Sequence, residues 1–309
     1  MRVLFMGTPE FAAVSLKKIM EIHDVAAVFT QPDKVNQRGN KIKYSPVKQL
    51  ALDNNIEVFQ PVSVRKEEVI EKIKEINPEI IVVVAYGKIL PNELIAIPKY
   101  GTINVHASLL PKYRGAAPIH AAIINGEKET GVTIMDIAEE LDAGDMILKK
   151  STPISEEDNL ETVHDRLAEI GADAVIEAME QLFKGNAVKT VQNHSEATFV
   201  KPIKKDECKI NWKKSSEEIF NMVRGMNPFP AAFTTLNEKI LKVYEVEKVD
   251  KEYNCEPGEV AELLKESGAV IKTGKGAVIL KKVKPENKSI ISGKDMINGN
   301  YIKAGDLLK

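Results

Sequence analysis

The sequence predicts an α/β chain: a parallel-sheet N-terminal half followed by a small C-terminal β-barrel. Three observations carry this. Short apolar runs alternate with amphipathic stretches through the first half, the pattern of a parallel sheet flanked by helices. Five short runs between residues 232 and 283 alternate apolar with polar positions and are separated by Gly, Asn, Lys or Glu, as in a small barrel. The charge divides as well: residues 1–198 hold 22 Lys and Arg against 29 Asp and Glu, net −7, and residues 199–309 hold 21 against 16, net +5. With 309 residues, 43% of them hydrophobic, the chain can build a core in each part.

Taken in order, Val3–Met6, Val25–Phe29 and Ile80–Ala85 are short and rich in Val, Ile or Phe, as buried strands are. Gly7-Thr8-Pro9-Glu10 reads as a strand-to-helix turn, since threonine can cap, proline suits the first helical position and glutamate suits the positive helix end. A helix is expected from about Pro9 to Ile22, with others at Val47–Asp53, Arg65–Ile76 and Leu160–Phe183. The connection over 31–46 is long, and through Lys48 it carries Lys34, Arg38, Lys41, Lys43 and Lys48 against the one acid Asp33. Composition leaves it open between a solvated loop and a binding element. After Gly185 a helix over about Ser215–Gly225, capped by Ser215-Ser216-Glu217-Glu218, precedes strands at Ala232–Leu236, Ile240–Val246, Gly258–Leu264, Ala269–Thr273 and Ala277–Val283.

Several function classes are excluded. A net charge of −2 rules out coating nucleic acid by bulk charge, so such binding must be regional. Cys208 and Cys255, the only cysteines, cannot make a disulfide framework or a four-cysteine zinc site. No HExxH, no CxxC and no helical histidine pair occurs, so no metal is expected. Gly7-Thr8-Pro9 fits neither the phosphate-loop nor the dinucleotide pattern, and Gly274-Lys275-Gly276 falls in an expected hairpin. The N-terminal apolar run is too short for a signal peptide and no stretch of 18 apolar residues is present, so a cytoplasmic protein is expected.

The strongest chemical signal lies in Gly101–Pro118. Its first part reads as a strand on which Asn104 and His106, two residues apart, share a face at the sheet's C-terminal edge, where open α/β sheets place their ligands. An asparagine amide can donate to a developing oxyanion, and an imidazole can exchange a proton beside it. The carboxylates of Ile137–Asp145 read equally as a solvated turn, although Asp142, close to Gly144, could orient that imidazole. His23, His120, His164 and His194 lack such company and read as ordinary histidines.

Asn104-Val105-His106-Ala107-Ser108-Leu109-Leu110-Pro111-Lys112-Tyr113-Arg114-Gly115, followed by Asp142, resembles the signature of the 10-formyltetrahydrofolate-dependent formyltransferases. Gly7-Thr8-Pro9-Glu10-Phe11, Gln31-Pro32-Asp33, Ser45-Pro46-Val47-Lys48 and Asn227-Pro228-Phe229-Pro230-Ala231-Ala232 resemble the branch that formylates methionyl-initiator tRNA, and the likeness spans nearly the whole chain. The resemblance implies a Rossmann-like catalytic domain over 1–189, a linker over 190–207 and an OB-like β-barrel that binds tRNA over 208–309. It implies a catalytic trio of Asn104, His106 and Asp142. It places the folate cosubstrate against Tyr86, Gly87, Lys88, Ile89 and Leu90, which would wrap the pterin, and against Ser108, Leu109, Leu110 and Pro111. The basic insertion, with Arg38, Lys41 and Lys43, would enter the acceptor arm of the tRNA, and Phe11 would neighbour the methionyl group.

The +5 charge of the second part suggests that Lys201, Lys204, Lys205, Lys209, Lys213 and Lys214, and a second group of Lys281, Lys282 and Lys284, meet phosphates; ordinary solvated lysine is the alternative. The chain departs from the family at Gly274-Lys275-Gly276-Ala277 and Lys281–Pro285, where relatives usually carry an acidic-glycine hairpin and a glutamine. Nothing demands a dimer, and a monomer is expected. The rival readings are a formyltransferase acting on a sugar amine, a purine-pathway formyltransferase, a hydrolase of 10-formyltetrahydrofolate and a non-catalytic RNA-binding module.

Overall fold

The structure is a computed structural model that describes residues 1–35 and 42–309. It holds two compact units, one of Met1–Gly115, Thr130–Thr152 and His164–Val200, the other of Ala116–Glu129, Pro153–Val163 and Lys201–Lys309. In chain order, β1 (Arg2–Gly7) leads into α1 (Glu10–Ile22) and β2 (Asp24–Phe29). The two-residue strands β3 (Lys34–Val35) and β4 (Ile42–Lys43) pair antiparallel on either side of residues 36–41. Next come α2 (Pro46–Asp53), β5 (Val58–Phe59), α3 (Glu67–Ile76), β6 (Ile80–Val84), the single turn α4 (Asn92–Ile95), β7 (Thr102–His106) and β8 (Arg114–Gly115). Helix α5 (Pro118–Ile124), β9 (Glu129–Asp136), β10 (Met146–Pro153), α6 (Leu160–Lys184) and β11 (Phe199–Val200) follow.

The first unit is built on a seven-stranded sheet ordered β10-β9-β7-β6-β1-β2-β5. Strands β5, β2, β1, β6 and β7 are parallel, and β9 runs antiparallel to β7. All five residues of β6 are buried, which is why it reads as a continuous Ile-Ile-Val-Val-Val run rather than an alternating one. Below it, Ile73 and Ile76 of α3 pack with Leu4, Met6, Phe29, Ile81 and Val83. The expected cap of α1 differs from the observed one. The capping position falls on Pro9 with no side-chain cap, because Thr8 Oγ1 turns to accept from Gln31 N at 3.4 Å. At α2, Ser45 caps by accepting from Lys48 N.

The second unit contains α7 (Ser216–Met226), β12 (Ala232–Leu236), β13 (Lys239–Val249), β14 (Val260–Leu264), β15 (Gly268–Lys272), β16 (Ala277–Pro285), β17 (Ile291–Ser292) and α8 (Gly293–Asn298). Its antiparallel sheet runs β12-β13-β16-β15-β14, with β17 beside β16. The edge strands are joined through residues 305–309: Lys309 exchanges backbone hydrogen bonds with Thr235, Leu308 N donates to Gly258 O, and Val260 N donates to Asp306 O. The apolar faces of the strands and of α7 close around Trp212, whose indole N–H donates to Thr234 at 3.0 Å. Residues 116–129 and 153–163 belong to this unit for local reasons. Helix α5 packs on α7, and the buried Arg224 of α7 donates to the carbonyls of Ser155 and Asp158. The cap of α7 is the expected one, Ser215 and Glu218 bonding reciprocally.

Candidate active site

The polar end of β7 sits in the first unit. Both neighbours of Asn104, Ile103 and Val105, are buried in the sheet, which sends Asn104 and His106 to the opposite face. Asn104 is half-buried, and among the described residues nothing bonds to its side-chain amide. His106 is 6% exposed. Its Nε2 lies 3.0 Å from Tyr113 O and its Nδ1 lies 3.7 Å from Asp142 Oδ2. Each ring nitrogen therefore faces an acceptor. An imidazolium can donate to both at once, whereas a neutral ring can donate to only one.

Asp142 is carried by the turn between β9 and β10, and β9 lies beside β7 in the sheet. The residue takes a left-handed conformation, φ 49°, which aspartate tolerates better than most side chains. Its carboxylate is fixed by Gly115 N, which donates to Oδ2 at 2.7 Å. Gly115 is in turn held by the parallel pairing of β8 with β11.

Arg114 and Gln192, which sequence reasoning did not assign, hold the turn that carries Asp142. Arg114, fully buried, donates from Nε and Nη2 to Gln192 Oε1 at 3.1 and 2.8 Å, and from Nη1 to Glu140 at 3.3 Å. The Gln192 amide donates to the carbonyls of Asp142 and Gly144, both at 2.8 Å. Arg114 lay within the signature and could have been marked by it. Gln192, a lone glutamine in a polar stretch, gave no signal at all.

The segments expected to meet folate are ordered by neighbouring strands. Ser108 Oγ donates to Lys112 O at 2.7 Å, Leu110 N donates to Thr133 Oγ1 at 3.1 Å, and Lys149 Nζ donates to Leu110 O at 2.8 Å. Leu110 is buried with Met135 and Met146, while Leu109 and Pro111 are half-buried. Beyond β6, Tyr86 is 1% exposed, and its buried hydroxyl has no hydrogen-bond partner among the described residues; burial pushes its pKa up to about 12. Gly87 takes φ 78° and is exposed, as is Ile89. Lys88 Nζ bonds the carbonyls of Pro61 and Val62, burial lowering its pKa, and Leu90 is buried.

The remaining expected residues belong to other segments of the chain. Phe11 is buried on α1 with its ring edge-on to His164, centroids 5.4 Å apart. Lys43 is exposed on β4, and Lys48 is tied to Asp33 and Gln60, holding the Asp33 carboxyl below its usual range. Arg38 and Lys41 lie outside the described residues. In the second unit Lys204 and Lys205 are exposed, but Lys214, Lys281 and Lys282 pair with Glu218, Glu247 and Glu245. Among the described residues no group of three or more His, Cys, Asp or Glu is placed to hold a metal ion, and no helix is long and apolar enough to cross a membrane.

Comparison with known proteins identifies the family. The formyl transferase family model matches residues 1–179, and the model of the formyl transferase C-terminal domain matches residues 202–301. A protein of Fusobacterium nucleatum named Methionyl-tRNA formyltransferase is 52% identical over 309 residues, covering 100% of both chains. Among solved structures, the N-formyltransferase of Helicobacter canadensis in complex with folinic acid and dTDP-3-aminofucose has a TM-score of 0.66 at 21% identity, covering 91% of this chain and 98% of that one. HypX of Aquifex aeolicus in complex with tetrahydrofolic acid has a TM-score of 0.63 at 20% identity over 98% of this chain, which spans only 48% of HypX. At such identities these two share the fold. The two family models and the full-length relative place the chain in the formyl transferase family, among the methionyl-tRNA formyltransferases.

Proposed function

We propose that the chain transfers the formyl group of 10-formyltetrahydrofolate to the free α-amino group of methionyl-initiator tRNA, giving N-formylmethionyl-tRNA for translation initiation. The observation that carries the chemistry is the His106–Asp142 approach of 3.7 Å at the end of the strand that also bears Asn104. The full-length relative supports the acceptor. The Helicobacter canadensis enzyme, sharing the fold alone, lends nothing to a sugar amine in its place.

The amine nitrogen attacks the formyl carbon, negative charge gathers on the formyl oxygen, and the bond from that carbon to the folate nitrogen N10 then breaks. Asn104, to whose side-chain amide nothing bonds among the described residues, donates to the oxygen, and His106 as an imidazolium, its two N–H groups turned to Tyr113 O and Asp142, adds positive charge beside it. Asp142 holds the imidazole and helps pass the amine proton toward the leaving nitrogen. Folate fits the edge of the sheet: the orphaned Tyr86 hydroxyl and the exposed backbone at Gly87 lie on one segment, and Ser108–Pro111 is pinned by β9 and β10 on the other. Residues 1–189 would be the catalytic domain, 190–207 the linker, whose Lys204 and Lys205 meet tRNA phosphates as does the insertion around Lys43, and 208–309 the OB-like domain. Phe11 would border the methionyl side chain. A cytoplasmic monomer accords with this role.

Incubation with 10-formyltetrahydrofolate and methionyl-initiator tRNA tests the reading. Formylmethionyl-tRNA should form, and His106→Ala should lower its rate about 10²- to 10³-fold. Formate release that needs no acceptor, or tRNA binding without product, would rule it out.

A further inference from the structure

We propose that Gln192 is a positioning residue for formyl transfer: its amide clamps the turn that carries Asp142, so that the carboxylate faces His106. The inference rests on the role given to Asp142 above. A turn between two strands has no ladder of its own, and Asp142 occupies a left-handed conformation that the turn must be held to keep. Gln192, 2% exposed, spends both N–H donors on the carbonyls of Asp142 and Gly144, two residues apart in that turn. Its carbonyl cannot compete for those positions, because Arg114 holds Oε1 with two N–H groups of a rigid guanidinium. The amide is thus oriented without choice, donors toward the turn and acceptor toward Arg114.

The same arginine neighbours Gly115, whose N–H fixes the Asp142 carboxylate. Backbone and side chain of Asp142 are therefore held from two sides by partners that meet at β8. Gln192 touches no reacting atom; it acts by setting where Asp142 stands, and an error of about 1 Å in such a group costs about 10²-fold in rate.

A double-mutant cycle on the full-length protein, with 10-formyltetrahydrofolate and methionyl-initiator tRNA as substrates, tests this. Gln192→Met keeps the length of the side chain and removes both donors; Asp142→Asn keeps a residue type that tolerates positive φ. Gln192→Met should lower kcat about 10- to 100-fold while both KM values stay within about twofold. Added to Asp142→Asn, it should cost no more than about twofold, since its effect passes through that carboxylate. Gln192→Glu, which retains the Arg114 contact and turns an oxygen toward the two carbonyls, should show the same loss of kcat and serves should Gln192→Met not fold. Wild-type kcat in a folded Gln192 variant overturns the proposal, as does a loss that multiplies fully with that of Asp142→Asn. If Asp142→Asn alone retains wild-type kcat, the role of Asp142 falls first, an outcome distinguishable from the other two.

Discussion

Gly144→Ala is the sharpest test of how tightly the Asp142 turn is set. Gly144 has no positive φ to protect; what it lacks is room. A Cβ there would stand 1.8 Å from Asp136 O and 2.7 Å from Asp136 C, and no real Cβ comes within 3.0 Å of such atoms. The turn must therefore retreat from β9 by about 1.2 Å or more. That retreat acts on the carbonyl that Gln192 holds at 2.8 Å and on the hydrogen bond from Asp136 N to Asp145 O at 2.9 Å. Asp142, two residues away, moves with it. Overpacking of this kind costs about 1–3 kcal/mol of stability, and displacement of the carboxylate from His106 should cut kcat/KM by about 10²-fold. Formylation of methionyl-initiator tRNA measures the second effect and a thermal melt the first. Gly185→Ala is the control: φ is 68° but nothing lies within 4 Å of the added atom. It should cost about 1–2 kcal/mol through the backbone and leave turnover unchanged. Turnover within about twofold of the parent in Gly144→Ala would refute the claim that this turn sets the site.

Two further outcomes follow from electrostatics. Charge reversal at Lys204 and Lys205 should weaken tRNA binding and lower its salt slope by about 2, whereas reversal at Lys281 and Lys282, already paired with Glu247 and Glu245, should do less; filter binding across a salt series would show equal slopes if this is wrong. Hydrogen bonds from Lys214 and Ser215 hold the Glu218 pKa down to about 2, against 4.5 for an ordinary glutamate. Because the folded value is the lower one, the stabilisation is present above about pH 5 and is lost as pH falls from 4.5 toward 2. Glu218→Gln should therefore be less stable than the parent at neutral pH and equal to it in acid, as chemical denaturation at several pH values will read.

The fold was legible wherever the pattern was local. Val3–Met6 and Ile80–Val84 showed themselves as strands because both faces are buried, the strand ending one residue before the expected Ala85, and Ser215-Ser216-Glu217-Glu218 announced a cap that the structure makes. The cap at Thr8 was misjudged because Thr8 has a tertiary partner, Gln31, that local chemistry does not reveal. Strands β5, β8 and β11, two residues each, have no period to detect and exist only through their pairing. At the site, strand alternation gave Asn104 and His106 a common face. Spacing left Asp142 open between a solvated acid and a partner for the imidazole, the family resemblance favoured the second, and in the structure the turn between β9 and β10 brings it to His106. Gln192 stayed hidden, since its significance lies wholly in two carbonyls about 50 positions earlier in the chain.

Residues 305–309 fasten β12 to β14, and the carbonyl at 309 also accepts from the hydroxyls of Thr234 and Thr235. The seam of the second unit thus depends on peptide groups synthesised after every strand of its sheet. Until they are free of the ribosome, two strand margins stand open with unpaired amides, the state in which nascent sheets adhere to their neighbours. The described residues of the first unit end at Val200, so all of them are synthesised before this seam is made.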